Sequence, residues 1–327
     1  MSSKINIGIV GYGNLGKGVE SAIAQNEDLT LHAVFTRRDP STLKVNSGVP
    51  VYALGDVEKF VNEIDVMILC GGSKDDLPEQ GPALAKHFNT VDSFDTHAKI
   101  PDYFETVDAT AKPNGKTAII SVGWDPGLFS INRLYGEAIL PEGATYTFWG
   151  KGLSQGHSDA IRRIAGVKGA VQYTIPVEEA VDKVRSGSQP TLTTREKHTR
   201  ECYVVLEEGA DASVVEQTIV SMPDYFSDYD TTVHFINEQQ LAEEHSTMPH
   251  GGFVIRSGKT GTSSNQVMEF SLTLDSNPEF TSSVLVAYAR AAFRMNQKGE
   301  TGAKTVFDVA PGLLSSKSAH DLRKELL

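Results

Sequence analysis

Only two cysteines, Cys70 and Cys202, occur in 327 residues. That is too few for a disulfide framework or a thiolate metal cluster, and no metal site is expected. Positive charge is also scarce: 30 Lys and Arg against 42 Asp and Glu leave a net charge of −12. This balance argues against nucleic acid or an anionic membrane as a partner, and any anion site must be built from local positive groups. No apolar run reaches the ~20 residues of a membrane-spanning helix. The N-terminus lacks a signal-peptide pattern, and no internal repeat or low-complexity block appears. These absences leave a soluble cytoplasmic protein, long enough for two or more domains.

What is present starts at residue 5. An apolar strand runs into Gly11-Tyr12-Gly13-Asn14-Leu15-Gly16, and a helical stretch at 17–25 follows. G-x-G-x-x-G in a strand–turn–helix context is a dinucleotide fingerprint. Gly11 makes the turn, Gly13 admits a pyrophosphate, and Gly16 lets helix pack on strand. The pyrophosphate would sit at the helix N-terminus, where free N–H groups and the dipole favour anions.

A second strand at 29–35 ends in Thr36-Arg37-Arg38, about 20 residues past Gly16, where an acidic residue would bind the ribose of NAD. A hydroxyl and two guanidiniums there fit a 2′-phosphate instead, so the expected cofactor is NADP(H). The bland alternative is a solvated basic turn.

Strands at 51–53, 65–70, 90–94 and 116–122 alternate with helical segments at 75–88 and 101–112 and one opened by Asp56. The unbroken apolar runs read as buried parallel strands. Residues 1–122 are therefore expected to form a Rossmann-type doubly wound parallel sheet of α/β class. The dinucleotide would also pass Cys70, Gly71, Gly72 and Ser73, then Ser93 and Phe94, then Val122, Gly123 and Pro126. Cys70 otherwise reads as a small buried residue.

After Gly123 the pattern changes. Helices are expected at 129–139, 158–165, 178–185, 212–222 and 238–245, and strands at 146–149, 170–176, 201–207, 230–236, 252–257 and 266–274. Residues 123–299 read as an α+β substrate and dimerisation domain with a largely antiparallel sheet. The tail, 279–297 and then on to Leu327, reads as helical, with 300–327 packing back on the first domain.

Ligands in open α/β sheets bind beyond the carboxyl ends of the strands. Two strands end there in carboxylates, Asp95 and Asp125, which could hold a substrate ammonium or a water against the nicotinamide. Each could equally be a turn residue, Asp95 capping the turn into Thr96 and Asp125 making an Asx-turn before Pro126. Residues 153–159 run into a helix N-terminus, where N–H groups around Gln155 and Gly156 could hold a carboxylate. Ser158 and Asp159 would suffice as ordinary caps. Arg200, His250 and Asn277, taken singly, read as loop or surface groups.

The chain resembles the NADP-dependent meso-diaminopimelate D-dehydrogenases. The matching runs are VGYGNLG at 10–16, TRR at 36–38, GWDPG at 123–127, TFWG at 147–150, GLSQGHSD at 152–159, AVQYT at 170–174, MPDYF at 222–226 and MPHGG at 248–252. The resemblance implies oxidative deamination of meso-2,6-diaminopimelate at its D centre. It implies that Asp95 and Asp125 grip the D-centre amine and that Gln155 and Gly156 bind the near carboxylate. Trp124 and Trp149 would wall the pocket, and Thr174, Arg200, His250 and Asn277 would hold the distal L end. It also implies a homodimer. Two rivals follow from the same fold: another NADP oxidoreductase, of the dihydrodipicolinate reductase or homoserine dehydrogenase kind, and a non-enzymatic NADP(H)-sensing regulator.

Overall fold

The computed structural model describes residues 4–327. Strand β1 (Ile5–Val10) leads through the glycine-rich turn into helix α1 (Asn14–Ala24), followed by β2 (Leu29–Thr36) and β3 (Val51–Ala53). β4 (Val66–Leu69), α2 (Leu77–Ala85), β5 (Asn89–Asp92), α3 (Ile100–Ala111) and β6 (Thr117–Ile119) complete the alternation. The helix expected at Asp56 is a 3-10 segment, Leu54–Phe60.

Parallel pairing throughout gives one seven-stranded sheet, β14-β6-β5-β4-β1-β2-β3, whose edge strand β14 (Gly302–Lys304) comes from the far end of the chain. All four β4 residues are fully buried, and they alternate between two cores. Val66 and Ile68 join the core under α1, while Met67 and Leu69 join the one under α2 and α3. Burying such a side chain stabilises by about 1.5–3 kcal/mol, so a continuous apolar run is the pattern a sheet covered on both faces needs.

The chain leaves this unit through α4 (Leu128–Ile139) and builds a second one from β7 (Gly143–Trp149), β8 (Gly152–Leu153), α5 (Gln155–Arg162), β9 (Val167–Pro176), α6 (Glu178–Arg185), α7 (Thr194–Lys197), β10 (His198–Leu206), α8 (Ala212–Val220), β11 (Asp230–Phe235), α9 (Glu238–Glu244), β12 (His250–Thr260) and β13 (Ser264–Leu274). These strands form two sheets, β11-β10-β9-β8 and β13-β12-β7. Pairing is antiparallel except between β10 and β11, which α8 connects as a crossover.

Helix α10 (Asn277–Gln297) then returns to the first unit. It buries Leu285, Tyr288, Ala289 and Ala292 in the core shared with α1, and its Arg290 makes a fork to Asp28 at 2.6 and 2.7 Å. After β14 come two 3-10 turns and α11 (Ala319–Leu326), so the tail is not uniformly helical.

The two compact units are residues 1–131 with 278–327, and residues 132–277. The division thus falls inside α4 and at the start of α10, not at 122/123 and 299/300. Most of α10's apolar face belongs to the first core, a preference that periodicity alone does not assign to a partner. Among the described residues no helix is long and apolar enough to cross a membrane, and no group of His, Cys, Asp or Glu could hold a metal.

Candidate active site

In the first unit the phosphate-binding turn has the geometry its glycines require. Gly11 has φ +88°, and a Cβ on Gly16 would lie 2.3 Å from the Gly11 carbonyl oxygen, so neither position accepts a side chain. A Cβ on Gly13 would meet nothing within 4 Å, which leaves the approach to the helix start open. No side chain caps α1 at Gly13, and the first turn of a helix is where backbone N–H groups favour an anion. Tyr12 is buried against Glu20, and burial and this carboxylate push its phenol up to about 12. Glu20 in turn accepts from the Ser47 amide at 2.6 Å, tying down the loop after β2.

The end of β2 presents Thr36, Arg37 and Arg38. Arg38 donates to the Tyr12 carbonyl at 2.9 Å, and its amide bonds the Thr36 hydroxyl at 3.1 Å, so the fork is oriented by the phosphate loop itself. Arg37 is 67 % exposed and pairs with Asp76 at 2.7 Å. Asp76 also accepts from the Gly72 amide at 2.8 Å. A Cβ on Gly71 would lie 2.7 Å from that of Asp76, so packing requires the small residue there as well. These features fit a dinucleotide carrying a 2′-phosphate.

Phe94 and Val122 are buried, and their amides are bonded to Asp92, so only their carbonyls remain to face a cofactor. Ser93, Cys70 and Pro126 are half-buried and Gly123 is buried. Burial pushes the Cys70 thiol far above its ordinary range.

Beyond β5, Asp95 is exposed, and its amide donates to the Ser73 hydroxyl at 2.8 Å. Beyond β6, Asp125 is half-buried after Trp124, which packs edge-to-face on Phe129 at 5.2 Å. β5 and β6 are neighbours in the sheet, so the two carboxylate-bearing loops leave it side by side.

In the second unit the other predicted residues converge. Helix α5 starts at Gln155, and its N-cap is Ser154, whose side chain accepts from the His157 amide. Ser158 and Asp159, offered above as caps, lie inside the helix; Ser158 bonds the Ser154 carbonyl at 2.6 Å. Gln155 and Gly156 are therefore the first two helical residues, both exposed, with amides that the helix cannot satisfy.

Register does the rest. Thr174 on β9 pairs with Arg200 on β10 and with Gly152 on β8. A Cβ on Gly152 would lie 2.4 Å from the His250 ring, so that imidazole rests against bare backbone. The Leu153 amide donates to the Pro249 carbonyl at 2.8 Å, and the Asn277 amide to the Met248 carbonyl at 3.0 Å. Gln155 reaches the Met248 sulfur at 2.9 Å. Trp149 stacks on His198 at 5.4 Å, and its amide donates to that ring.

Arg200 is the electrostatic centre of this cluster. It is 6 % exposed, donates to the Thr174 hydroxyl, lies over the Tyr229 ring at 3.8 Å and leaves Nε without a partner. No carboxylate of the described residues neutralises it. Burial, with the Arg200 charge as second cause, pushes His157 down to about 4 and His198 down to about 3. Both rings are thus neutral at physiological pH and add no positive charge to the guanidinium's. A buried, uncompensated cation is costly unless an anion joins it.

Sequence reasoning passed over Asp92, Tyr103, His198 and Tyr229. For Asp92 a signal existed, a carboxylate inside the apolar run at 90–94. The others had none, since their contacts depend on packing and register.

The family model for the diaminopimelic acid dehydrogenase C-terminal domain matches residues 123–276. A meso-diaminopimelate D-dehydrogenase of Ureibacillus thermosphaericus is 69% identical over 325 residues, 99% of this chain and 100% of that protein. A solved structure of a multiply substituted meso-DAPDH from Clostridium tetani E88 with DAP is 58% identical, with a TM-score of 0.94, and covers 99% of this chain and all of that one. An engineered D-amino acid dehydrogenase bound to NADP+ is 46% identical, with a TM-score of 0.87 and the same coverage.

Proposed function

Because this chain belongs to the meso-diaminopimelate D-dehydrogenase family, we infer that it oxidatively deaminates meso-2,6-diaminopimelate at the D centre, using NADP+. The products are L-2-amino-6-oxopimelate, which cyclises to tetrahydrodipicolinate, with ammonium and NADPH; the reaction is reversible and belongs to lysine biosynthesis. The observation that carries the substrate assignment furthest is the buried Arg200, which has no carboxylate partner and an unsatisfied Nε. A substrate with a second carboxylate supplies the missing charge, and a simple amino acid does not.

Gly11–Gly16 and Thr36–Arg38 would hold NADP+, which would supply the hydride acceptor for the D-centre Cα–H. The chain's own residues do the remainder. Asp95 and Asp125 hold the D-centre amine, and one of them takes its proton, because the C–H bond is broken only from the neutral amine. The same carboxylates stabilise the iminium charge that develops as the hydride leaves. Water then adds to the imine carbon, an aspartate again taking the proton, and ammonia departs. The free amides of Gln155 and Gly156 bind the near carboxylate. Arg200, with Thr174, His250 and Asn277, binds the distal end, Arg200 through paired charge-assisted bonds. Trp124 and Trp149 offer aromatic walls to the aliphatic chain. Fixing the amine, the near carboxylate and the distal end would leave one Cα–H free to react, which is how these residues would select the D centre.

Incubation with NADP+ and meso-, L,L- or D,D-diaminopimelate, following reduced cofactor and ammonium together, tests this reading. The meso form is expected to give both products in equal amounts and the L,L form neither; NADPH without ammonium would refute deamination. A sensor would bind NADP(H) without turning over any amino acid.

Arg38→Ala is expected to weaken NADP+ by about 100-fold while affecting NAD+ far less, because the 2′-phosphate is the only part of the dinucleotide that the fork would meet. Arg37→Ala should cost less, since Arg37 must first give up Asp76. Equal losses for NADP+ and NAD+ in titrations would reject the 2′-phosphate assignment.

The same reading makes the protein a cytoplasmic homodimer. Leu134, Tyr135 and Ile139 on α4 and Val267 on β13 are exposed apolar groups of the second unit suited to a subunit contact. A monomeric mass by light scattering, or activity outside the cytosolic fraction, would refute it.

A further inference from the structure

We propose that Asp92 is a positioning residue for this reaction, holding in register the two loops that carry Asp95 and Asp125. The proposal rests on the roles given to those two aspartates above. Asp92 is the last residue of β5 and is 1 % exposed. Its Oδ1 accepts from the Phe94 amide at 3.0 Å and from the Ser121 amide at 3.1 Å. Its backbone carbonyl accepts from the Val122 amide at 2.8 Å. One residue thus takes an amide from the segment leading to Asp95 and two from the segment leading to Trp124 and Asp125.

The other carboxylate oxygen is anchored on a third element. Oδ2 accepts from the Tyr103 hydroxyl, on α3, at 2.8 Å, and the Tyr103 ring stacks on Phe94 at 4.2 Å. Helix α2 makes room for that hydroxyl with Gly81, where a Cβ would lie 2.0 Å from it. Ser121, one of the clamped residues, has φ +57°, a left-handed backbone that L-residues avoid; the bond to Asp92 helps to hold it there. From another side, Ser73 accepts from the amides of Asp95 and Thr96 at 2.8 and 3.2 Å.

Burial pushes the Asp92 carboxyl above the ordinary carboxylate range, so the group is an expensive choice if the fold alone were at stake. What it offers is two oxygens in one rigid plane: one spans two loops and the other is bolted to a helix. Reacting groups must be held to a fraction of an ångström, and a misplacement of about 1 Å can cost 100-fold in rate.

Asp92→Ala is therefore expected to lower kcat about 100-fold, with a much smaller loss of NADP+ affinity, because the phosphate-binding turn is untouched and only the Phe94 segment next to the cofactor path loses its side-chain anchor. Asp92→Asn keeps an acceptor for both amides and is expected to recover most of the loss. A merely structural buttress would lower the melting temperature and leave the kcat of the folded protein alone. Should Asp92→Ala fail to fold, Tyr103→Phe carries the test: it removes one charged hydrogen bond, keeps the stacked ring, and is expected to lower kcat about tenfold. A folded variant of either kind with parental kcat overturns the proposal. Asp95→Asn and Asp125→Asn are measured alongside. If they lose activity while Asp92→Ala keeps it, only the positioning role fails; if both keep it, the catalytic reading beneath it fails as well.

Discussion

Asp95→Asn is expected to lower kcat by about 10²- to 10⁴-fold, the range that a positioned acid or base contributes, without changing NADP+ affinity. The substitution is nearly isosteric. Asparagine keeps an acceptor for the substrate amine, and the Asp95 amide remains bonded to Ser73. What disappears is the charge. Without it the amine loses one of its two candidate bases, and the cationic imine loses a fixed counter-charge as it forms. Asp125→Asn is expected to act in the same direction. The aspartate that deprotonates the amine is identified by the pH profile of kcat/KM, whose acidic limb should vanish in its variant and persist in the other. Full activity in both variants would clear the pair of any charge role and leave them as turn residues.

Arg200→Met is expected to lower kcat/KM for meso-diaminopimelate by about 10- to 150-fold. That is the fold-change equivalent of a charge-assisted hydrogen bond worth ~1.5–3 kcal/mol. D-amino acids without a distal carboxylate should gain relative to the parent substrate, because the variant no longer leaves a buried charge unpaired when they bind. Stability is expected to hold or rise: the guanidinium is 6 % exposed with no carboxylate partner, and methionine fills similar space without a desolvation cost. His157 and His198, held down partly by the Arg200 charge, should titrate somewhat higher in the variant, an effect visible by NMR. Unchanged selectivity between the diacid and simple D-amino acids would remove Arg200 from the substrate site.

The two predictions draw on different kinds of legibility. Asp95 stood out as a candidate because it follows an apolar strand of a fold whose ligands sit at strand ends. Arg200 was not; alone it looked like a surface arginine, and only the resemblance gave it a role. Its meaning comes from the β8–β9–β10 ladder, which sets Thr174 between Gly152 and Arg200. The start of α5 shows the same limit on a smaller scale. Ser154, Ser158 and Asp159 are all good caps, and the backbone conformation at Ser154 decided among them. Helix α10 is the largest case. Its apolar face fits any core, and the contact with α1 that places it in the first unit lies more than 250 residues away along the chain.

By itself the sequence determined what contiguous residues can carry: a glycine turn of the dinucleotide-binding kind, a threonine and two arginines of the kind that fit a phosphorylated dinucleotide, and the alternation that makes a parallel sheet. These are local because backbone conformation and strand burial are set by neighbours in the chain. Only the tertiary structure decided which residues between 149 and 277 come together, which carboxylate is buried behind the loops that carry Asp95 and Asp125, and where the last fifty residues return. Those outcomes depend on strand register and on which apolar faces meet. Both are fixed by burial summed over the whole chain, and no short segment holds that information.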